Sequence, residues 1–261
     1  MSREDQFAEE VGREEAESRG KGRTVTVGWS VRFPTSDAIW AAPKAFSRKD
    51  PKPASAKSVQ LCPAAIDFDR RHFVVPCPVD LTLAFKRDAS GQLTLTDADG
   101  DQSAMRPQGR ANLFQVQPPN EWRHPERPVL QFTAPYVFVC DEPCWIVQTP
   151  PYLHWFPEQR PGMQMGGRFP THVWPRPLAW AFEWYDLSKP LVLKRGDPWF
   201  YVSFETENPS AHVRLVEQEM TPELEKYLDS IIDVSNYVNR TYSLFDEAKR
   251  IRPETLLKPK G

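Results

Sequence analysis

A chain of 261 residues with 40% hydrophobic and 12% aromatic side chains can bury a large core without a disulfide staple, and it has too much apolar surface for disorder throughout. Its 27 prolines against 12 glycines suit a β fold with fixed corners and speak against a helical bundle. A formal net charge of −2 argues against a whole-domain nucleic-acid binder, which is usually basic.

No run approaches the 18 apolar residues of a membrane span, and Met1–Gly20 is charged where a secretory leader is greasy. The expectation is a soluble cytoplasmic protein, of a cell or of an infected host. Cys62, Cys77, Cys140 and Cys144 are then expected as free thiols, since their spacing is not that of a zinc ribbon.

In chain order, residues 1–23 read as a charged, flexible tail, with Glu9, Glu10, Glu14, Glu15 and Glu17 clustered. Phe7 and Val11 give too narrow an apolar face for a free helix. The β domain occupies 24–220. Its first strand, Thr24 to Phe33, alternates Val25, Val27, Trp29, Val31 and Phe33 against polar neighbours. A basic loop follows over 43–60, carrying Lys44, Arg48, Lys49, Lys52 and Lys57. Val79, Leu81, Leu83 and Phe85 then run to a Ser90-Gly91 turn and return through Leu93 and Leu95 as a hairpin. The Asp97, Asp99, Asp101 cluster lacks the twelve-residue pattern of a calcium loop and reads as a solvated turn.

Short strands follow at Leu113–Gln117, Val129–Thr133, Tyr136–Cys140 and Trp145–Thr149. An aromatic, proline-rich stretch covers 150–177. Leu178, Trp180, Phe182 and Trp184 then share one strand face, and a Gly196-Asp197-Pro198 turn joins Leu191–Lys194 to Trp199–Phe204. Trp199–Phe204 is apolar on both faces and predicts a central, doubly covered strand. His212–Glu219 is the last strand.

At Thr221 the pattern changes. Thr221 suits an N-cap, Pro222 the first helical position, and Glu223 and Glu225 the positive end of the dipole. Leu224, Leu228, Ile231, Val238 and Phe245 recur at helical spacing over a C-terminal helical segment, 221–252, that packs on the sheet or on another subunit. Ser235-Asn236 weakens its middle, and residues 253–261 form a short tail. The architecture is mainly β, a sandwich, jelly roll or barrel-like domain of about ten strands with a C-terminal helix.

The sequence holds no G-x-S-x-G, Walker, G-x-G-x-x-G or H-E-x-x-H motif. Two constellations remain. The loop residues Tyr152, Trp155, Arg160, Arg168, Trp174 and Arg176 mix flat aromatics with guanidiniums, a combination suited to a planar or sugar ligand with an anionic group. The alternative is His154, Glu158 and His172, two imidazoles and a carboxylate of the type that holds Fe(II) in cupin and jelly-roll oxygenases. The cupin His-x-His is lacking, because Tyr152 stands at its first position.

Thr149-Pro150-Pro151-Tyr152, Gly167-Arg168-Phe169, Trp174-x-Arg176-Pro177, Lys194-Arg195-Gly196-Asp197-Pro198 and Tyr201-Val202-x-Phe204 resemble segments of an uncharacterised β-protein family found in bacterial and phage genomes. The resemblance spans roughly residues 130–217 and implies a β fold without an activity. The Lys-Arg-Gly-Asp segment is also similar to a strand entry in β-clip nucleotide hydrolases, whose Arg-Ser-Gly and catalytic Asp turn do not occur here. The expected function is a binding or assembly module, partnering a protein or a second copy through the C-terminal helix and able to take a small molecule. The rivals are the iron oxygenase and, behind it, the nucleotide-handling enzyme.

Overall fold

The computed structural model describes residues 23–34, 38–47, 61–103, 105–237 and 241–261, with the side chains of 233–242 left aside. The expectations for the acidic segment 1–22, for most of the basic loop, and for Ser235, Asn236 and Val238 as stripe or break residues therefore lie outside the described residues.

Alternation at Thr24 produces β1 (Thr24–Val31), which pairs in parallel with β15 (His212–Glu217) and antiparallel with β8 (Tyr136–Val139). Expected as the strand's last inward residue, Phe33 instead lies outside it. Its φ of 54° is left-handed, it is largely exposed, and the Arg32 guanidinium sits 4.5 Å from its ring. Pro34 has no N–H to extend the ladder, so the strand stops before it.

The double-faced apolar run becomes β14 (Pro198–Thr206), the middle of a five-stranded sheet. That sheet runs β11 (Gly167–Pro170), β9 (Cys144–Thr149), β14, β3 (His72–Pro76), β2 (Lys44–Ala45). Facing it is the sheet β10 (Gly162–Gln164), β12 (Leu178–Trp184), β7 (Val129–Ala134), β6 (Phe114–Val116). The two meet through aromatic rings: Trp199 lies 4.6 Å from Phe132 and 5.8 Å from Trp180, centroid to centroid, and all three are fully buried. These large, edge-packed rings fill the sandwich interior. The Ser90-Gly91 hairpin forms β4 (Leu81–Arg87) and β5 (Leu93–Asp97), joined at its edge by β13 (Leu191–Leu193). Gly91, at φ 83°, supplies the turn while the Asp88 carboxylate accepts from the Ser90 and Gln92 amides.

The architecture is thus a sandwich-like β fold of several sheets with no closed barrel. Among the described residues there are fifteen strands where the sequence promised about ten. Those it missed, β2, β3, β10 and β11, have two to five residues, too few for periodicity. Two helices were also missed, α1 (Pro63–Arg71) and α2 (Pro107–Leu113), each with Pro at its start.

The C-terminal segment is a helical pair, α3 (Pro222–Tyr237) and α4 (Thr241–Ile251). Thr221 caps α3 as its sequence suggests, its Oγ1 accepting from the Leu224 amide at 3.1 Å. Leu224, Tyr227, Leu228, Ile231 and Ala248 form a second core with Val137 and Val139 of β8, so the apolar stripe packs on the chain's own sheet. Residues 253–261 run back along the body. Leu256 is buried, and beside β15 the Glu219 amide donates to the Lys258 carbonyl and the Lys260 amide to the Glu217 carbonyl. No helix among the described residues is long and apolar enough to cross a membrane.

Candidate functional site

β2 ends the five-stranded sheet. Lys44 pairs with Val74, Ala45 with Phe73, and the Phe46 amide donates to the His72 carbonyl at 2.8 Å. In an antiparallel ladder this leaves the Ala45 N–H and C=O facing away from β3. Neither has a partner among the described residues. Among the described residues β2 is therefore an edge strand, with the backbone donor and acceptor of Ala45 left for another strand.

A cleft lies on each face of that edge. On the face of Val74 and Tyr201, a cleft of about 590 Å³ is lined by Lys44, Phe46, His154, Asp197 and Tyr201. On the opposite face, that of Ala45 and Phe73, a cleft of about 440 Å³ is bounded by Ile66 and Arg70 of α1 and His212 and Arg214 of β15.

Two rings that line the larger cleft, Phe46 and Tyr201, form its aromatic wall and belong to a wider ring cluster. The Tyr201 ring lies 5.4 Å from Phe46, 6.4 Å from His72 and 5.8 Å from Tyr152. Phe68 stacks on His72 at 4.0 Å and reaches Tyr152 at 6.1 Å. The His72 Nδ1 is tied to the Phe68 carbonyl at 2.7 Å. Tyr152 is brought over this wall by a tight turn in which its amide donates to Pro150 and that of His154 to Pro151. Burial pushes the Tyr201 phenol up to about 12, opposed by the Leu153 amide that hydrogen-bonds to it, so Tyr201 is a neutral donor at physiological pH.

The Lys194-Arg195-Gly196-Asp197 turn closes one end. Gly196, at φ 87°, makes the turn; the Asp197 carbonyl accepts from the Cys77 amide at 2.8 Å. Both cations of this turn are used structurally. Lys194 pairs with Glu158 at 2.6 Å and Arg195 with Asp80 at 2.8 Å. Lys44 makes no ion pair among the described residues.

The six residues expected to form one aromatic-arginine surface are dispersed. Tyr152 packs on Tyr201, whose ring lines the larger cleft. Trp155 projects into solvent, 78% exposed. Arg160 lies against the Phe156 ring at 3.7 Å, and burial lowers its pKa to about 10, partly offset by Cys77 and Asp197. Arg168, on β11, pairs with Glu205 at 2.7 Å and overlies Trp145. Trp174 packs on Phe169 and Phe245, with Arg176 above it at 4.8 Å, beside α3. Strands β10 and β11 intervene in the sequence between Tyr152 and Arg176, and they belong to different sheets.

His154, Glu158 and His172 are likewise not brought together. His154 packs on Phe156 at 4.5 Å, Glu158 is committed to Lys194, and His172 Nδ1 sits 3.0 Å from the Cys144 amide. Among the described residues no group of three His, Cys, Asp or Glu side chains is arranged to hold a metal ion. The Asp97 and Asp99 carboxylates are also engaged, with Arg110 and with the Thr82 amide.

Sequence reasoning missed Lys44, Phe46, Phe68 and His72 as site residues. A two-residue strand has no period, and His72–Pro76 is apolar throughout after its first residue, so neither pattern shows which side chains face the cleft. Family models, curated proteins and solved structures give no significant match to this chain.

Proposed function

We propose that the protein is a binding module that takes an extended peptide segment of a partner protein along the open edge of β2. The carrying observation is the pairing of unpartnered backbone groups at Ala45 with a cleft on either face of the same strand. Successive side chains of an added strand point to opposite faces. A peptide laid against Ala45 would drop alternate side chains into the aromatic cleft and into the cleft beside α1. Main-chain bonds would supply affinity, and the two clefts specificity.

Charge supports acidic residues in the peptide. Lys44, Arg70, His212 and Arg214 border the two clefts. Among the described lining residues, Asp197 is the carboxylate of the larger cleft and Asp69 that of the smaller, against these four basic side chains. The module acts by recognition, and its groove holds an aromatic wall and a neutral phenol rather than an activated nucleophile.

The test is selection from a displayed random-peptide library on the whole chain, followed by anisotropy with the enriched peptides. Ala45→Pro removes the outward N–H without breaking a bond to β3, and edge positions tolerate proline. Enriched peptides that bind the native protein and lose at least about tenfold in affinity to Ala45→Pro support strand addition. Absence of enrichment, or equal affinity for the variant, refutes it.

A further inference from the structure

A third cavity, about 300 Å³, lies between the outer face of β7 and β12 and the α3 helix. Its size is at the lower end of small-molecule pockets, roughly 300–1000 Å³. Leu178 and Ala179 line the sheet side, Leu228 and Ile231 the helix side, and the Trp174–Pro177 segment closes one end.

Its polar side chains are few, and each carries a donor. Arg176 stands at this end with its guanidinium on the Trp174 ring, and no carboxylate pairs with it among the described residues. It is open to solvent on one side, yet its apolar neighbours desolvate it enough to lower its pKa. The Gln131 Oε1 is occupied by the Gln117 amide at 2.6 Å, which leaves the Gln131 NH₂ as its remaining polar group. The Thr133 hydroxyl, beside it on β7, makes no hydrogen bond among the described residues.

We propose that this cavity binds a small anionic amphiphile, a carboxylate carrying an apolar chain, with its headgroup on Arg176 and its chain between Ala179 and Ile231. An apolar cavity whose charged group is one cation without a counter-ion favours a ligand with a single anionic end and an apolar body. A guanidinium binds a carboxylate through two parallel N–H···O bonds, and the Trp174 face under it fixes its plane. A neutral amphiphile would fill the same apolar volume but leave Arg176 unpaired, and a small anion would pair with Arg176 but leave the volume empty.

Calorimetric titration of the whole chain with octanoate, 1-octanol and acetate tests this. Expected are one saturable octanoate site, weaker octanol binding and no acetate site. Arg176→Gln should weaken octanoate by about tenfold or more while leaving octanol unchanged. Filling the cavity with Ala179→Phe should abolish both; if that variant does not fold, Thr133→Leu fills it from the exposed side. Peptide capture at β2 should survive Arg176→Gln, so failure at one site is separable from failure at the other. No saturable octanoate binding, or equal octanoate affinity in Arg176→Gln, overturns the proposal.

Discussion

Asp141 and Arg252, 111 residues apart, meet at 3.1 Å where the β8–β9 connection touches the end of α4. The same carboxylate accepts from the Leu256 amide at 2.6 Å and reaches the Leu257 amide at 3.4 Å. Arg252 also donates to the His172 carbonyl at 2.6 Å. One short connection thus fixes the path of the C-terminal residues over the second core.

Asp141→Ala should free that segment. It leaves a mostly buried guanidinium without its carboxylate and two backbone amides without an acceptor. The expected loss is about 2 kcal/mol, from the usual cost of unpairing hydrogen bonds to a charged group. A melting curve should fall by roughly 4–8 °C for a chain of this size. Limited chymotryptic digestion should cut at Leu256 or Leu257 before it cuts the β body. An unchanged melt with a protected C-terminus would show that Leu256 packing alone holds the segment.

The two tryptophans Trp155 and Trp199 should separate sharply. Trp199 is fully buried against Phe132, Trp180 and Phe200, so Trp199→Ala should cost about 3–5 kcal/mol. Trp155 is largely exposed, so Trp155→Ala should change stability by no more than about 0.5 kcal/mol. Denaturant titration of both variants decides the matter, and a large loss at Trp155 would contradict the loop's position.

The four cysteines are all free thiols in the structure, and only Cys62 is exposed. Burial pushes the Cys77 thiol up to about 12, and Cys77 donates to the Val79 carbonyl. A thiol reagent at pH 8 should label one site quickly in the native protein and four after denaturation. Mapping the fast label anywhere but Cys62 would be inconsistent with this burial.

His172 should make stability pH-dependent. Burial lowers its folded pKa below the ordinary value of about 6.5, since the charged imidazolium loses solvation. The unfolded chain therefore takes up the proton first. The contribution of His172 is complete above about pH 6.5 and declines as pH falls from there toward the folded pKa. Chemical denaturation at pH 7.5 and pH 5.5 should show this decline, and His172→Asn should flatten it. An equal slope in the variant would assign the effect to other groups.

Much of the fold was legible because the residues that make it report on themselves. Alternation at Thr24–Val31 and Leu81–Arg87, the double-faced run at Trp199–Phe204, and the Thr221-Pro222 start of α3 each encode local backbone geometry and one buried face. Such signals need only neighbours within a turn or a strand. The candidate site was not legible in this way. Sequence proximity grouped Tyr152, Trp155, Arg160, Arg168, Trp174 and Arg176, yet the folded chain sends Tyr152 to the β2 edge, Arg168 to Glu205 and Arg176 to α3. What unites Lys44, His72, Tyr152, Asp197 and Tyr201 is the pairing order β9-β14-β3-β2, and pairing between distant strands leaves no local period. The sequence by itself determined a β sandwich with a helical end, through patterns of burial one residue or one turn apart. Only the tertiary structure decided which backbone groups and which cations lack a partner among the described residues, because both depend on groups brought together from across the chain.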